Sequence, residues 1–265
     1  MPVADLELWS DPGPAGWVTE GISGFGVHVG SIIPAGFDSY ARLLHPAYRR
    51  RDGVDVEVPW SEVAAANGRT VHHEMQWPNV SGVRVHSGDR AGVVWDQEPE
   101  VGTLPRRQAL TLGGLLSPHT TTPERVWFCV WSGYGGLKID PDTRPAGGHG
   151  VGDWLRARSS ARGGPEPTVL LPNREYHLFR GDISQVGVSF LESPSWQSAN
   201  LWWPEDRAWF VATEIDLSWT YVGGSHRCME SILDAVDLEA ISAQITDRIA
   251  HDSDLLNPPT PDPDV

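Results

Sequence analysis

Two carboxylates lie close together at the end of the segment AWFVATEID. If this segment is a strand, its two-residue period places Glu214 and Asp216 on the same face. Such a pair could hold a hard cation, or divide the roles of general acid and general base as in sugar hydrolysis. A structural role is the alternative, in which Asp216 begins a turn and Glu214 pairs with an arginine such as Arg207.

A second group that could do chemistry is Gly223, Gly224 and Ser225, which precede a predicted helix. Free backbone N–H groups at the start of a helix can receive an anion. However, Ser225 is also an ordinary N-cap residue, and no Gly-Lys-Ser/Thr sequence follows the glycines. The three residues are therefore candidate binding residues, with helix capping as the favoured interpretation.

The histidines His72 and His73, followed by Glu74, form the tightest cluster among ten histidines. A metalloprotease helix needs His-Glu-x-x-His, because only that spacing turns both imidazoles the same way. Adjacent histidines on a regular element point apart. We therefore predict no metal site and no cofactor, and we keep His72 and His73 as catalytic candidates that folding could bring near Glu214.

Thirteen tryptophans in 265 residues are the most unusual feature of the composition. Tryptophan stacks on sugars and is enriched in protein interfaces. Several of these tryptophans lie inside apolar strand-like segments, where core packing explains them. Core packing is therefore the favoured interpretation, and an exposed subset, such as the adjacent pair Trp202 and Trp203 or Trp196, is the alternative that could form a protein interface.

Charge and cysteine content restrict the class of partner. The formal net charge is −15, so a phosphate backbone would be repelled, and we predict no nucleic-acid binding. No apolar run is long enough to span a membrane, and no basic segment precedes an apolar stretch near residue 1. With Cys129 and Cys228 interpreted as buried free thiols, we expect a cytoplasmic protein whose partner, if it has one, is a basic protein.

The hydrophobic pattern predicts a single α+β domain with a mixed or antiparallel sheet and a few helices. Apolar runs rich in aromatic and β-branched residues place strands near 25–33, 126–132, 168–180 and 208–216. Three helices are predicted, with Ser61, Thr103 and Ser225 as their N-caps and with Pro105 near the first turn of the second. In the last helix, the predicted buried stripe is made by Met229, Ile232, Leu233 and Val236.

The predicted domain spans residues 17–250. Residues 1–16 are expected to be irregular, and residues 251–265, with four aspartates and four prolines, are expected to be a disordered acidic tail. Residues 138–167 form a Gly/Pro-rich loop that could cover a pocket. Residues 36–45 fit either helical or strand spacing, and the pattern does not choose between them.

Three segments carry a resemblance to other proteins: GFDSYARLLHPA, WSEVAAANGRTVHHEMQW and NLWWPEDRAWFVATEIDLSWTYVGGS. Over about residues 24 to 238, the chain resembles a widespread set of actinobacterial proteins that has no established activity. The resemblance implies a bacterial cytoplasmic protein with one recurring domain. It carries no catalytic residue to this chain.

The charge, the excess of aromatic residues and the missing catalytic motifs favour a non-enzymatic role. We predict a module that binds another protein, such as an immunity-like protein that neutralises a basic toxin. The alternative is a hydrolase or small-ligand-binding protein that uses Glu214, Asp216 and residues 223–225. A third hypothesis is sugar binding through tryptophan. The oligomeric state is left open.

Overall fold

The computed structural model describes residues 6–9, 11–82, 94–134, 169–191 and 193–257. Within these ranges the chain forms a nine-stranded sheet, in which all the strand pairs are antiparallel, together with a few helices. The predicted α+β class is therefore confirmed in its coarse form, with the sheet as the dominant element. No helix of the described ranges is long and apolar enough to cross a membrane.

The strands, in chain order, are β1 (Glu7–Trp9), β2 (Ser39–Leu44), β3 (Ala47–Arg51), β4 (Val54–Val58), β5 (Val126–Trp131), β6 (Val169–Leu171), β7 (Arg174–Gly181), β8 (Leu201–Pro204), β9 (Trp209–Ala212), β10 (Trp219–Gly224) and β11 (Ala240–Ala243). The α-helices are α1 (Gly16–Gly21), α2 (Trp60–Ala66), α3 (Trp77–Ser81), α4 (Arg106–Leu116) and α5 (His226–Leu233). The order across the sheet is β1-β7-β5-β8-β9-β10-β2-β11, with β6 also paired to β7. Strands β3 and β4 form a separate hairpin.

Both faces of the sheet are buried. Successive side chains along each central strand point to opposite faces, and each face is covered by its own apolar layer. The first layer contains Trp127, Trp203, Phe210 and Tyr221. The second contains Phe128, Trp202, Val211 and Val222. Helices α1, α2 and α3 contribute to the first layer, and α4 and α5 contribute to the second. A sheet covered on both faces is built from strands with nearly continuous apolar runs, which is why the central strands could be recognised in the sequence.

Several predicted elements are confirmed. The predicted strand near 126–132 is β5, and the segment 168–180 is the hairpin of β6 and β7, which turns at Asn173 with a positive φ of 57°. The three predicted helices are α2, α4 and α5, but of the predicted N-caps only Ser225 is confirmed, because α2 begins at Trp60 and α4 begins at Arg106. The buried stripe of α5 is wrong at Val236, because the helix ends at Leu233 and this valine is 98% exposed.

The predicted strand at 25–33 is wrong. The segment bends and then forms a short 3-10 helix, Val29–Ser31. Gly24 and Gly26 have φ of 73° and 68°, a left-handed conformation that strands do not use. Instead of joining a ladder, Val29 and Gly30 donate their backbone N–H groups to the carbonyls of Asp247 and Ile245.

The predicted strand at 208–216 is shorter than expected, since β9 ends at Ala212. Glu214 and Asp216 lie in the turn that follows, where Leu217 N–H donates to the Glu214 carbonyl at 3.2 Å. Their proximity therefore comes from the turn, and not from strand alternation. The ambiguous segment 36–45 forms a strand, β2, between β10 and β11.

The predicted domain boundaries also need correction. The segment 1–16 is not wholly irregular, because Leu6 is buried and β1 joins the sheet beside β7. The tail predicted from residue 251 is ordered as far as Asn257, and its buried Asp254 accepts backbone N–H groups from Gln76 and Asn257. Residues 258–265 and the Gly/Pro-rich loop at 138–167 lie outside the described residues.

Candidate functional site

A cavity of about 220 Å³ lies between the bent segment near residue 25, the β6–β7 hairpin and the turn after β9. We call it the Arg174 cavity. Its walls are largely apolar, with a few polar groups. The lining residues are Phe25, Gly26, Ser31, Ile32, Leu171, Pro172, Arg174, Tyr176, Leu201, Glu214, Asp216, Leu217, Ile249, Ala250 and His251.

Arg174 and the two predicted carboxylates form an ion cluster in the wall of this cavity. Arg174 Nε donates to Glu214 Oε1 at 2.7 Å, and Nη2 donates to Asp216 Oδ2 at 2.7 Å. The second oxygen of Glu214 accepts the backbone N–H of Asp216 at 2.6 Å. Arg174 is the first residue of β7, directly after the turn of the β6–β7 hairpin. This position places its side chain beside the turn after β9, which contains both Glu214 and Asp216.

This geometry does not suit the predicted division of acid and base roles. Both oxygens of Glu214 are engaged, and one arginine neutralises part of the charge of each carboxylate. Asp216 differs from Glu214, because its side chain is 74% exposed and only its Oδ2 contacts Arg174. Asp216 therefore has acceptor capacity left for a ligand.

Aromatic side chains complete the polar part of the cavity. The guanidinium carbon of Arg174 lies 4.9 Å from the centroid of the Phe25 ring, which is partly exposed at the mouth. Burial raises the pKa of the Tyr176 hydroxyl, and the nearby charge of Glu214 raises it further. Tyr176 therefore remains protonated at neutral pH and can donate a hydrogen bond.

The other predicted catalytic residues, His72 and His73, lie outside this cavity. His72 Nε2 lies 2.8 Å from Asp254 Oδ1, and His73 Nδ1 lies 2.8 Å from Asp247 Oδ2. The two rings are nearly perpendicular, and their centroids lie 6.3 Å apart. Folding does not bring them to Glu214, because they hold the segment 247–254 instead.

His73, Glu74 and Asp247 are close enough together to be considered as metal ligands. One ligand atom of each lies within 4.8 Å of the others. The carboxylates are nevertheless already supported, because Arg248 N–H donates to Glu74 and Gln244 N–H donates to Asp247, each at 2.7 Å. These bonds account for both acids as structural acceptors.

The buried Arg42 adds a positive charge next to this group. Its guanidinium donates to the carbonyls of His73 and Met75 at 2.7 and 2.8 Å. Burial lowers the pKa of Arg42, and the negative charges of Asp254, Asp247 and Glu74 oppose that shift. The acids therefore balance a buried cation belonging to the protein, which disfavours a bound metal ion.

Helix capping, the favoured interpretation at Gly223, Gly224 and Ser225, is confirmed for Ser225, and the position of the two glycines does not suit an anion site. Both glycines belong to β10, where they pair with β9 and β2, so their backbone groups are not free loop donors. A Cβ at Gly223 would lie 2.6 Å from a ring carbon of Phe37, which explains the glycine by packing. Ser225 caps α5 by accepting the N–H of Cys228 at 3.3 Å.

Core packing, the favoured interpretation, is confirmed for Trp202 and Trp203, and the alternative that this pair is exposed is wrong. Both are buried in β8, where Trp203 stacks on Phe210 and Trp202 packs edge-on against Trp209. Trp154 lies outside the described residues, and each of the other twelve tryptophans is buried or half-buried. The described tryptophans therefore offer no open stacking platform for a sugar.

Among the lining residues that were not predicted as site residues, Arg174, Phe25 and Tyr176 form the polar and aromatic part of the cavity. Arg174 follows the Pro-Asn turn of the hairpin, and a charged residue at that position is common in solvent-facing hairpins. Phe25 was assigned to a strand that does not form. The only available signal was the requirement that Glu214 find an arginine, and the expected partner was Arg207 rather than Arg174.

Comparisons of the chain with models of protein families, with curated proteins and with solved structures find no match. Function is therefore inferred from the geometry of the chain itself.

Proposed function

We propose that this protein binds a small, mostly apolar ligand in the Arg174 cavity. The observation that carries the proposal is a cavity of about 220 Å³ whose apolar walls include one cluster of polar groups, Arg174, Glu214 and Asp216. Small-molecule sites commonly combine an apolar concave surface with a few oriented polar groups.

The polar groups favour a particular ligand chemistry. The Nε and Nη2 atoms of Arg174 are engaged by carboxylates, and Nη1 donates to the Asn173 carbonyl at 3.1 Å. The cluster of one arginine and two acids has a negative formal charge. A ligand with an ammonium or another hydrogen-bond donor can use the free oxygen of Asp216, whereas a carboxylate would be repelled.

Benzylamine is a suitable probe, because it joins an apolar ring to a primary ammonium. We expect it to bind with a dissociation constant of about 1 mM, as is typical of a ligand of this size. Benzoate, which has a similar ring and the opposite charge, should bind at least about tenfold more weakly. Titration calorimetry and chemical-shift changes of the cavity leucines measure both.

Two neighbouring residues of β6 provide a matched pair of variants. Leu171 lines the cavity, whereas the side chain of Leu170 points away and is 63% exposed. Leu171→Trp should fill the cavity and abolish benzylamine binding, and Leu170→Trp should leave it unchanged. Equal binding by both variants, or preference for benzoate, would contradict the proposal.

A second proposal keeps the role of protein binding, and the β3–β4 hairpin favours it. Val54 and Val56 lie two residues apart on β4, share a face and are both exposed, Val54 at 64%. The hairpin lies outside the main sheet. The hairpin itself carries Arg49, Arg50 and Arg51, so the two valines, and not the local charge, suit a partner with an apolar patch. The net charge of −15 belongs to the chain as a whole, and it favours a basic partner, such as a toxin that an immunity-like protein would neutralise.

A photo-crosslinking residue placed at Val54 tests this second proposal in cells. A single adduct with a basic protein is expected from position 54 and not from the exposed control position Leu170. Identical adducts from both positions, or none from either, would count against a docking surface on the hairpin.

A further inference from the structure

The hydroxyl group of Tyr176 is a polar group of the Arg174 cavity that the fold leaves unused. Tyr176 lines the cavity, and the residue as a whole is only 3% exposed. Within the described part of the chain, its hydroxyl makes no hydrogen bond. The oxygen is nevertheless not one of the unpartnered polar atoms that are shut off from solvent. It therefore keeps a surface that a molecule in the cavity can contact.

Strand geometry turns this hydroxyl to the polar side of the cavity. Arg174 and Tyr176 are two positions apart on β7, so the two-residue period places their side chains on the same face of the strand. Burial is the largest cause of the raised pKa of Tyr176, and the charges of Glu214 and Arg174 also act on this pKa. Both groups therefore lie near the hydroxyl, which faces the ion cluster in the cavity wall.

Tyr134 shows the contrast with a hydroxyl that the fold does use. Its hydroxyl donates to the Gly102 carbonyl at 3.0 Å and accepts from Asn200 Nδ2 at 3.2 Å, and the residue does not line the cavity. Tyr176 has neither kind of partner in the described residues. A phenylalanine would fill nearly the same space at position 176, so packing does not explain the oxygen. A ligand does.

We propose that Tyr176 is a specificity-determining residue of the Arg174 cavity, and that the ligand carries an uncharged hydrogen-bond acceptor on its apolar part in addition to its ammonium group. This inference rests on the proposed function, in which the ammonium group contacts Asp216. A phenolic hydroxyl is a better donor than acceptor, because its oxygen lone pairs are shared with the ring. Its complement is a carbonyl oxygen, an ether oxygen or an aromatic ring nitrogen.

The three positional isomers of picolylamine are the probes for this inference. Each replaces one ring CH of benzylamine by a nitrogen that is uncharged near neutral pH, and each keeps the size and the ammonium group of benzylamine. We expect one isomer to bind about three- to tenfold more tightly than benzylamine, because its nitrogen accepts from Tyr176. The other two should bind more weakly than benzylamine, because their nitrogen loses water without gaining a donor. Titration calorimetry measures all four affinities.

Tyr176→Phe tests whether the hydroxyl is the donor. It should abolish the preference for the favoured isomer and leave the affinity for benzylamine within about twofold of the wild type. The urea midpoint should not fall, because no partner in the described chain loses a hydrogen bond. A preference that survives in Tyr176→Phe would assign the acceptor to another group and would overturn the proposal.

Tyr134→Phe is the matched control for that variant. It removes a hydroxyl that has two partners outside the cavity, so the urea midpoint should fall by roughly 0.3–0.6 M. The preference for one picolylamine should be unchanged. Equal losses of stability in the two variants would show that the Tyr176 hydroxyl serves the fold, which contradicts the proposal.

The four amines also distinguish this inference from the proposed function beneath it. Binding of benzylamine by the wild type without a preference for any isomer would overturn the role of Tyr176 alone. No binding of any of the four at about 20 mM would overturn both proposals. Leu171→Trp should abolish binding of the favoured isomer together with that of benzylamine, and retained binding of the isomer would place its contact outside the cavity.

Discussion

Two arginines of this protein are partnered in opposite ways. Arg42 lies on β2 in the buried layer, where it contacts two backbone carbonyls and lies 3.9 Å from the centroid of the Trp219 ring and 5.7 Å from that of Trp60. Arg174 lies at the wall of a cavity and contacts two carboxylates. The buried cation is held by dipoles and aromatic faces, and the accessible one by opposite charge.

The difference indicates which arginine serves the fold and which serves a site. Moving a charge out of water requires many compensating contacts, and Arg42 has them on every side except at Nε, which has no hydrogen-bond partner in the described chain. Arg174 needs fewer contacts, because part of it remains hydrated. Its cluster can therefore exchange water for a ligand, whereas that of Arg42 cannot.

The largest expected effect comes from removing the buried cation. Arg42→Met leaves the carbonyls of His73 and Met75 without donors and leaves Asp247 and Asp254 without their balancing charge. We expect the free energy of unfolding to fall by about 3 kcal/mol or more. Urea denaturation followed by tryptophan fluorescence measures it.

Arg174→Met is the matched control for that substitution. It leaves Glu214 without its cation at a partly hydrated position, and we expect a loss of about 1–2 kcal/mol. Arg42→Lys should be less destabilising than Arg42→Met but still less stable than the wild type, because an ammonium cannot reproduce the two parallel hydrogen bonds from Nη1 and Nη2 to the carbonyls of His73 and Met75. If Arg174→Met were the more destabilising of the two, the assignment of structural and site roles would be reversed.

A pH effect of intermediate size should arise in the layer around Arg42. His45 is fully buried, and burial lowers its pKa to about 4. Its Nδ1 and Nε2 lie 2.7 and 2.9 Å from the Glu100 carbonyl and Thr220 Oγ1, and its own carbonyl accepts from Trp60 Nε1. In the unfolded chain the same imidazole titrates near the ordinary value of ~6.5.

The sign follows from these two values. Between pH 6.5 and 4 the unfolded state binds the proton and the folded state does not, so this contribution to stability is complete above pH 6.5 and is lost as the pH falls. The expected loss is about 3 kcal/mol by pH 4. The free energy of unfolding should depend less steeply on pH between 6.5 and 4 in His45→Gln than in the wild type, which urea denaturation at a series of pH values measures. An unchanged slope in the variant would show that other groups titrate there.

The smallest expected effect is on the exposed side of the Arg174 cluster. Asp216→Asn changes a side chain that is 74% exposed, so stability should change by less than about 0.5 kcal/mol. The same variant should nevertheless weaken benzylamine at least threefold, because it removes the charge offered to the ligand. Loss of stability without loss of binding would show that Asp216 belongs to the fold rather than the site.

The sequence pattern predicted the strands whose two faces are both buried. Strand β5 and the β6–β7 hairpin combine apolar runs with clear turn residues, and both were located correctly. The segment near residue 25 has similar apolar residues, but left-handed glycines at positions 24 and 26 bend it. The segment is held in its bent position by Val29 and Gly30, which donate to the carbonyls of Asp247 and Ile245, and no local pattern contains these distant contacts.

Of the ion cluster in the candidate site, the sequence predicted the two carboxylates but not the arginine. Glu214 and Asp216 are neighbours in the sequence, so any local structure keeps them close. Their partner Arg174 comes from another strand, and only the pairing of β7 in the sheet determines its position. For Trp202 and Trp203, the sequence could not show that both residues are buried. In a sheet with one solvent-facing side, one of two adjacent side chains would be exposed, but here both faces of the sheet are covered.

The position of β2 in the sheet has a consequence for biosynthesis. Its two neighbours, β10 and β11, both come from the last quarter of the chain, and Leu44 pairs with Trp219. At about 5–20 residues per second, a ribosome needs on the order of 10–35 s to make the intervening segment. During that interval the apolar β2 has neither of its partner strands, so the nascent chain presents an open template for aggregation and for chaperones until β10 and β11 have been synthesised.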